Sequence, residues 1–466
     1  MTALKSSSSP LSPSGSNNSG SNNTGNATGV RWSILLILFI VTTINYADRA
    51  SISIAGPELS KTLGLSSVEM GYIFSAFAWS YVLAQIPGGW LLDRFGSKIT
   101  YFFSIFLWSF FTLLMGTVGF LSGAAAITLL FALRLLVGAA EAPSFPGNSR
   151  ITSAWFPVSE RGLAAAIFNS AQYFATVIFA PFMGWVVHNW GWQSVFYVMG
   201  VLGIIMAVIW LFTIYDPKNH PRINAEELNY INAGGALVDL EIVHQAPEAN
   251  RIDTFSIIKQ LLSNRMLLGV YIGQYCINTL TYFFLTWFPV YLVKERHMTI
   301  LKAGFVAAIP AIAGFAGGML GGFISDRMIK SGVSLSISRK TPIVIGLLLS
   351  TCMILCNFIS TDELVIAVMS LAFFGKGIGA LGWAVVSDTS PKEAGGLSGA
   401  LFNTFGNVAG ITTPIVIGYI LQATGSFSGA LVFVAANAAV AIFCYLVIVG
   451  DIKRVTFNDT AKGNAA

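Results

Sequence analysis

Twelve apolar stretches of helical length succeed one another along the chain, at 33–55, 68–92, 99–121, 124–147, 163–187 and 194–214, then 266–292, 302–324, 341–359, 364–387, 397–422 and 428–449. Each approaches or exceeds the ~20 residues that an apolar helix needs to cross a bilayer. The pattern predicts an all-α polytopic membrane protein with twelve transmembrane helices in two sets of six. The polar segments between them set the expected organisation: a tail at 1–30, an N-terminal half at 31–214, a linker at 215–265, a C-terminal half at 266–450 and a second tail at 451–466. The linker is charged, turns at Pro217 and Pro221, and carries an amphipathic piece near Glu226–Ile231. Ser6 to Gly29 is almost wholly Ser, Gly, Asn, Thr and Pro, which cannot bury enough apolar surface to fold, so a disordered tail is expected. Arg31 precedes a run that continues into a full span, so no signal cleavage is expected.

Composition agrees. Of 466 residues, 55% are hydrophobic and 10% charged, against roughly 25% charged in an ordinary soluble domain. Mean hydropathy is +0.70. The net charge of +5 therefore need not mean nucleic acid, and its distribution is more informative than its size. Nineteen of the 26 Lys and Arg residues flank helices on the side of the N-terminus, and only Lys61, Lys294, Arg296 and Lys302 lie opposite. By the positive-inside rule both termini are expected in the cytoplasm. Cys276, Cys352, Cys356 and Cys444 lie in apolar runs, so no disulfide framework is expected. His188, His220, His244 and His297 lie in or beside polar connections, so no metal catalysis at membrane depth is expected. No G-x-x-x-x-G-K-[ST] loop is present, so pumping must draw on an ion gradient.

The halves repeat. Gly89-x-x-x-Asp93-Arg94 recurs as Gly322-x-x-x-Asp326-Arg327, and the window Arg161–Ser170 recurs as Gly395–Thr404 at nearly the same offset. Parallel repeats of this kind accompany a substrate site near mid-membrane and alternating access. The two Asp-Arg motifs sit at helix ends, where Asp93, Arg94, Asp326 and Arg327 are expected to latch a closed state rather than touch substrate.

Five charges fall inside apolar helices: Asp48, Arg49, Arg134, Glu141 and Lys376. A charge at the bilayer centre costs ~3 kcal/mol on insertion scales, so each marks a functional candidate. Asp48 and Arg49 are neighbours that point about 100° apart, so each needs its own partner. Arg134 and Glu141 share a helix face two turns apart, the arrangement of a coupled proton site or of an interhelical strut. Lys376, between Gly375 and Gly377 in an apolar helix, either snorkels or meets a ligand carboxylate. Together the five carry a net +1, rising to +3 with both carboxylates protonated, which suits an anion. Tyr46, Tyr81, Gln172, Gln274, Asn278, Trp383 and Asn403 add a lining suited to a hydroxylated acid. Singly, each is more often an interhelical hydrogen bond than a ligand contact.

Gly89–Lys98 resembles the signature loop of the major facilitator superfamily, with Ser97 replacing the first of its two closing basic residues. Asn45–Ala50, Met70–Trp79, Gln85–Trp90 and Glu141–Pro146 resemble the anion:cation symporter branch of that family. Phe168–Phe174 and Phe374–Trp383 are similar to bacterial glucarate/galactarate transporters. The resemblance implies proton-coupled uptake of sugar acids across a bacterial inner membrane. It implies protons as coupling ion with no other cofactor, a small organic anion as substrate, the bilayer as surroundings, no nucleic acid, and a monomer. Carried over by position, Asp48 and Glu141 load protons and Arg134 pairs with the helix-four carboxylate. Arg49 draws the substrate carboxylate, and Tyr46, Tyr81, Gln172, Trp383 and Asn403 line the pocket. Galactonate-type members carry a neutral residue in place of Lys376, so Lys376 is expected to neutralise the second carboxylate of an aldarate. The nearest alternative is the same machine carrying a monocarboxylate such as galactonate or a hexuronate. A membrane enzyme or receptor is disfavoured by the chain-long repeat and the lack of a catalytic constellation.

Overall fold

The computed structural model describes residues 27–239, 254–391 and 394–456; residues 1–26 of the tail expected at 1–30, the middle of the linker, residues 392–393 and the chain's last ten residues lie outside them. The described residues are helical, without strands. Twelve long stretches follow one another: α1 Val30–Leu63, α2 Ser67–Phe95, α3 Ser97–Phe120, α4 Gly123–Trp155, α5 Arg161–Trp190, α6 Trp192–Thr213, α7 Arg265–Lys294, α8 Ile300–Lys330, α9 Leu335–Phe358, α10 Asp362–Thr389, α11 Gly395–Thr424 and α12 Ser428–Ile448. Eleven are long and apolar enough to cross a membrane by composition alone. The exception, α2, carries Glu69, Gln85, Asp93 and Arg94 and packs against α4 and against α11 of the other half.

Local chemistry sets the helix ends. Glycines in the left-handed region close α1 at Gly64 (φ 66°) and α11 at Gly425 (φ 69°). Ser66 and Glu69 form a reciprocal capping box at the start of α2. Three helices break internally. In α4 the helical ladder lapses at Ala142–Pro143, where proline has no amide proton to donate. Hydroxyls of Ser104 and Ser144 then donate to the carbonyls of Ala140 and Glu141. In α7 a wider turn spans Phe283–Trp287, and α10 breaks between Ile378 and Gly382.

Packing reproduces the repeat. Within the halves, α2 lies on α4 as α8 lies on α10, and α1 lies on α5 as α7 lies on α11; between them, α5 packs on α8 and α2 on α11. These contacts are concentrated at the end away from the termini. There an added Cβ on Gly71 or Gly418 would run into backbone of the other half at Pro414 or Ser67, and one on Gly184 or Gly304 would come within 3.3 Å of the other glycine's Cα. Tyr72 and Tyr419 meet hydroxyl to hydroxyl at 3.3 Å across the halves, and within the C-terminal half the Trp287 indole donates to the Pro414 carbonyl at 3.1 Å. About five or six helical turns away on the same faces, Gly89, Gly162, Gly322 and Gly396 have nothing within 4 Å of an added Cβ. The halves therefore touch at one end and stand apart at the end that carries the termini.

At that end the N-terminal half and the linker are tied together by residues far apart in sequence. The buried carboxylate of Glu227, in a short linker helix Ala225–Ala233, accepts hydrogen bonds from the Thr28 hydroxyl (2.5 Å), the Val30 and Arg31 amides (2.9 and 3.1 Å) and the Arg31 guanidinium (3.1 Å). It thereby satisfies first-turn amides of α1, for which Gly29 has no side chain to offer. Arg31 also bonds Glu160 at 3.0 Å. Burial pushes the Glu227 carboxyl up, but these bonds outweigh it and hold it below its ordinary value of 4.5. A carboxylate depressed in the folded state contributes stability above its unfolded value and loses it as pH falls through the folded value. Glu227→Gln should therefore be less stable than wild type at neutral pH, with the gap closing below pH 4.5. Thermal melting of both proteins across pH 3–7 checks this.

Candidate functional site

Arg49 is the centre of the buried charges. Its guanidinium is ion-paired with Glu141 of α4 and lies 4.7–4.8 Å from the ring centroids of Tyr46, Phe77 and Tyr81. Glu141 is fully buried. Asp48, one residue earlier on α1, points elsewhere and accepts a hydrogen bond from the Thr112 hydroxyl of α3 at 2.6 Å. The neighbours thus find separate partners, as their 100° offset requires.

Arg134 departs from the sequence expectation. Although it shares a helix face with Glu141, the carboxylate's ion-pair partner is Arg49. The buried Arg134 lies 5.4 Å from the Phe77 ring, with its Nε and Nη1 unpartnered among the described residues. One oxygen each of Asp48 and Glu141 is likewise unpartnered. The reason is geometric: α1 crosses α4 within side-chain reach of Glu141, and a cation from a crossing helix takes the place that two turns along one helix cannot reach as closely. Phe77 lies between the two arginines, so two cations share one ring.

Lys376 is buried at 5% exposure and forms no ion pair among the described residues. Its ammonium lies 5.2 Å from the Phe373 ring and 5.8 Å from the Tyr173 ring of α5 in the other half. It does not snorkel. Nor is it mid-helix: the break after Ile378 puts it in the last turn of the first α10 segment, where free carbonyls favour a cation. Its two glycine neighbours have distinct reasons. A Cβ on Gly377 would overlap the Gly314 carbonyl of α8, and one on Gly375 the Gly346 carbonyl of α9. With α10 pressed between two helices, Lys376 is left facing the other half. Gly377→Ala should cost about 1–3 kcal/mol, as overpacked cores do, measured as a lower melting temperature of the purified protein.

A narrow cavity of about 60 Å³ lies between these walls, lined by α1 (Tyr46), α5 (Gln172, Tyr173), α7 (Thr281, Phe284), α8 and α10 (Phe373). Of the residues expected to line a substrate pocket, Tyr46 and Gln172 lie on its wall. Tyr81 belongs instead to the Arg49 cage. Gln274, Asn278, Trp383 and Asn403 do not line it. Gln274 donates to Asn278 at 3.3 Å, and the Asn403 carbonyl accepts from Asn407, itself bonded to the Tyr282 hydroxyl at 3.0 Å. Trp383 is exposed at the open end, edge-on to Phe402. The residues not singled out from sequence include Thr112 and Phe77 beside the buried charges and Tyr173, Thr281, Phe284 and Phe373 on the cavity wall. Tyr173 adjoins Gln172 and was within reach of the same reasoning, whereas nothing marks Thr112 in an apolar helix.

The Asp-Arg motifs also find other partners. Asp93 pairs with Arg150 at the end of α4, and Asp326 with Arg339 of α9 at 3.4 Å; Arg339 also holds Asp388 of α10 at 2.8 Å. Arg94 lies over the Trp90 and Phe95 rings, and Arg327 forms no ion pair among the described residues. In both halves the Asp of the motif is tied within its own half, so these struts persist while the termini end is open.

A family model described as Major Facilitator Superfamily matches residues 38–337. The chain is 64% identical over 431 residues to the Bacillus subtilis (strain 168) protein named "Probable galactarate/D-glucarate transporter GudP", covering 92% of this chain and 94% of the relative. It is 42% identical over 426 residues to the "D-galactonate transporter" of Escherichia coli O6:H1, covering 91% and 97%. A solved bacterial homolog of the human lysosomal transporter Spinster superposes with a TM-score of 0.71 at 18% identity, covering 91% of this chain and 99% of that one. A D-xylose-proton symporter superposes at 0.69 and 15%, covering 91% and 98%. The structural neighbours speak for the fold, and the sequence matches reach further: this chain belongs to the major facilitator superfamily.

Proposed function

We propose that this chain is a transporter rather than an enzyme, and that it imports sugar acids by proton symport, with galactarate and D-glucarate as substrates. The observation that carries the reading is the buried Lys376, which has no counter-ion among the described residues and lies beside Tyr173 and Phe373 of the cavity wall; a carboxylate is the group that would neutralise it. The galactarate/D-glucarate names of relatives at high identity support the same substrate class.

The remaining charges suggest the coupling. With Glu141 ionised, Arg49 is occupied. Protonation of Glu141 releases the guanidinium, which then takes one substrate carboxylate while Lys376 takes the other. Asp48 and Arg134 form the second acid and cation, and substrate hydroxyls meet Tyr46 and Gln172. Loss of the protons restores the internal pair and expels the anion, so coupling is competition for the same cations. The basic flanks favour both termini in the cytoplasm, in a bacterial inner membrane, which makes the open end inward. One chain supplies both walls of the cavity, consistent with a working monomer, and protons are the only coupling species required.

Proteoliposomes holding the purified protein test this. Labelled D-glucarate should accumulate when the lumen is more alkaline than the medium, with substrate-dependent alkalinisation outside. Uptake indifferent to the pH gradient would remove the symport reading, and no competition by galactarate would remove the substrate assignment.

A further inference from the structure

We propose that a second cavity, at the foot of α7 and α12, binds the phosphate-bearing headgroup of an anionic phospholipid. It lies in the C-terminal half, away from the charges described above, and does not depend on the transport reading. Its volume is about 450 Å³, and its lining includes Arg265, Met266, Val447, Lys453, Arg454 and a single carboxylate, Asp451. Three cations face one anion, and none of the three forms an ion pair among the described residues.

The walls are built rather than draped. α12 ends at Ile448, and Gly450 (φ 56°) turns the chain back across the end of the half. The returning segment is pinned to two helices. The Ile452 amide donates to Ser336 at 2.7 Å, the Val455 amide to the Thr389 carbonyl at 2.9 Å, and the Arg454 guanidinium to the Ser387 and Ser390 carbonyls at 3.1 and 3.2 Å. Arg265, at the first turn of α7, donates from Nη2 to the Val447 carbonyl at 3.1 Å. Arg265 and Arg454 are thereby held beside the opening, where the exposed Lys453 joins them over an apolar lining of Met266 and Val447.

The level in the bilayer follows from the element just before α7. The short helix Thr254–Ser263 buries Leu261 beside the partly buried Ile257 and Leu262 and leaves Lys259 and Ser263 exposed, the two-faced pattern of a helix that lies in the membrane surface. A basic pocket between membrane helices at that depth meets lipid headgroups, and phosphates there are the commonest anions. Free phosphate shares the headgroup's chemistry, but the apolar floor has use only for a ligand with an acyl chain.

The test uses the purified full-length protein in a neutral detergent, titrated with dioctanoyl phosphatidylglycerol, dioctanoyl phosphatidylcholine or inorganic phosphate and followed by melting temperature. The anionic lipid should raise the melting temperature by about 3 °C or more at saturation through mass action, and the other two should not. Each cation near a membrane surface contributes ~1 kcal/mol to anion attraction, so Lys453→Gln should weaken apparent affinity about fivefold, and Lys453→Gln with Arg265→Gln more. Lys453 is exposed, so the single variant keeps the test valid if the double does not fold. An equal shift with phosphatidylcholine or with phosphate would overturn the proposal, as would unchanged affinity in Lys453→Gln.

Discussion

Lys376→Gln should weaken competition by the dicarboxylates galactarate and D-glucarate about 10- to 100-fold while leaving galactonate, a monocarboxylate, within about twofold. A hydrogen bond to a charged group contributes about 1.5–3 kcal/mol, and that free energy converts to the stated range. Selectivity is the informative part. Arg49 remains to bind the one carboxylate of a monoacid, whereas the second carboxylate of a diacid would be left in a low-dielectric cleft without a cation. Inhibition of labelled glucarate uptake by a panel of acids, in wild type and variant, gives both numbers. Equal losses for the two classes would assign Lys376 to packing, where its last-turn position in α10 would be its whole purpose.

The second large effect concerns coupling. Glu141→Gln should abolish accumulation driven by a pH gradient while counterflow of labelled for unlabelled substrate continues. Glutamine holds the shape and accepts only a neutral hydrogen bond from Arg49 through its amide oxygen, but cannot exchange a proton, so Arg49 is permanently available and release no longer depends on cytoplasmic pH. Asp48→Asn should act in the same direction, because Thr112 then bonds a neutral amide. Full accumulation in both variants would sink the scheme; loss of counterflow as well would show that the Arg49–Glu141 pair holds the fold instead.

Both predictions depend on contacts that connect different helices, and these were the parts least legible beforehand. Spacing along one helix suggested Arg134 for Glu141, but Arg49 arrives from a crossing helix and pairs with it. Periodicity placed Lys376 inside a helix and the α10 break moved it to a helix end. Gln274 and Asn278 were expected to line the site, yet, four residues apart on α7, they bond each other and do not reach the cavity. Thr112 had no signal at all, since a single hydroxyl in an apolar run acquires meaning only from what lies opposite it.

What the chain determines on its own is the set of helices, their repeat into two halves and the identity of the few charges that must be buried. Within lipid the backbone must bond to itself, so apolar length alone writes a helix; glycine, serine and proline then locate its ends and breaks through local geometry. Which cation meets which carboxylate, which end of the molecule is open and where the second basic cavity lies were decided only in three dimensions. Each depends on the distance between residues tens to hundreds of positions apart, and helix crossing, not sequence spacing, sets that distance.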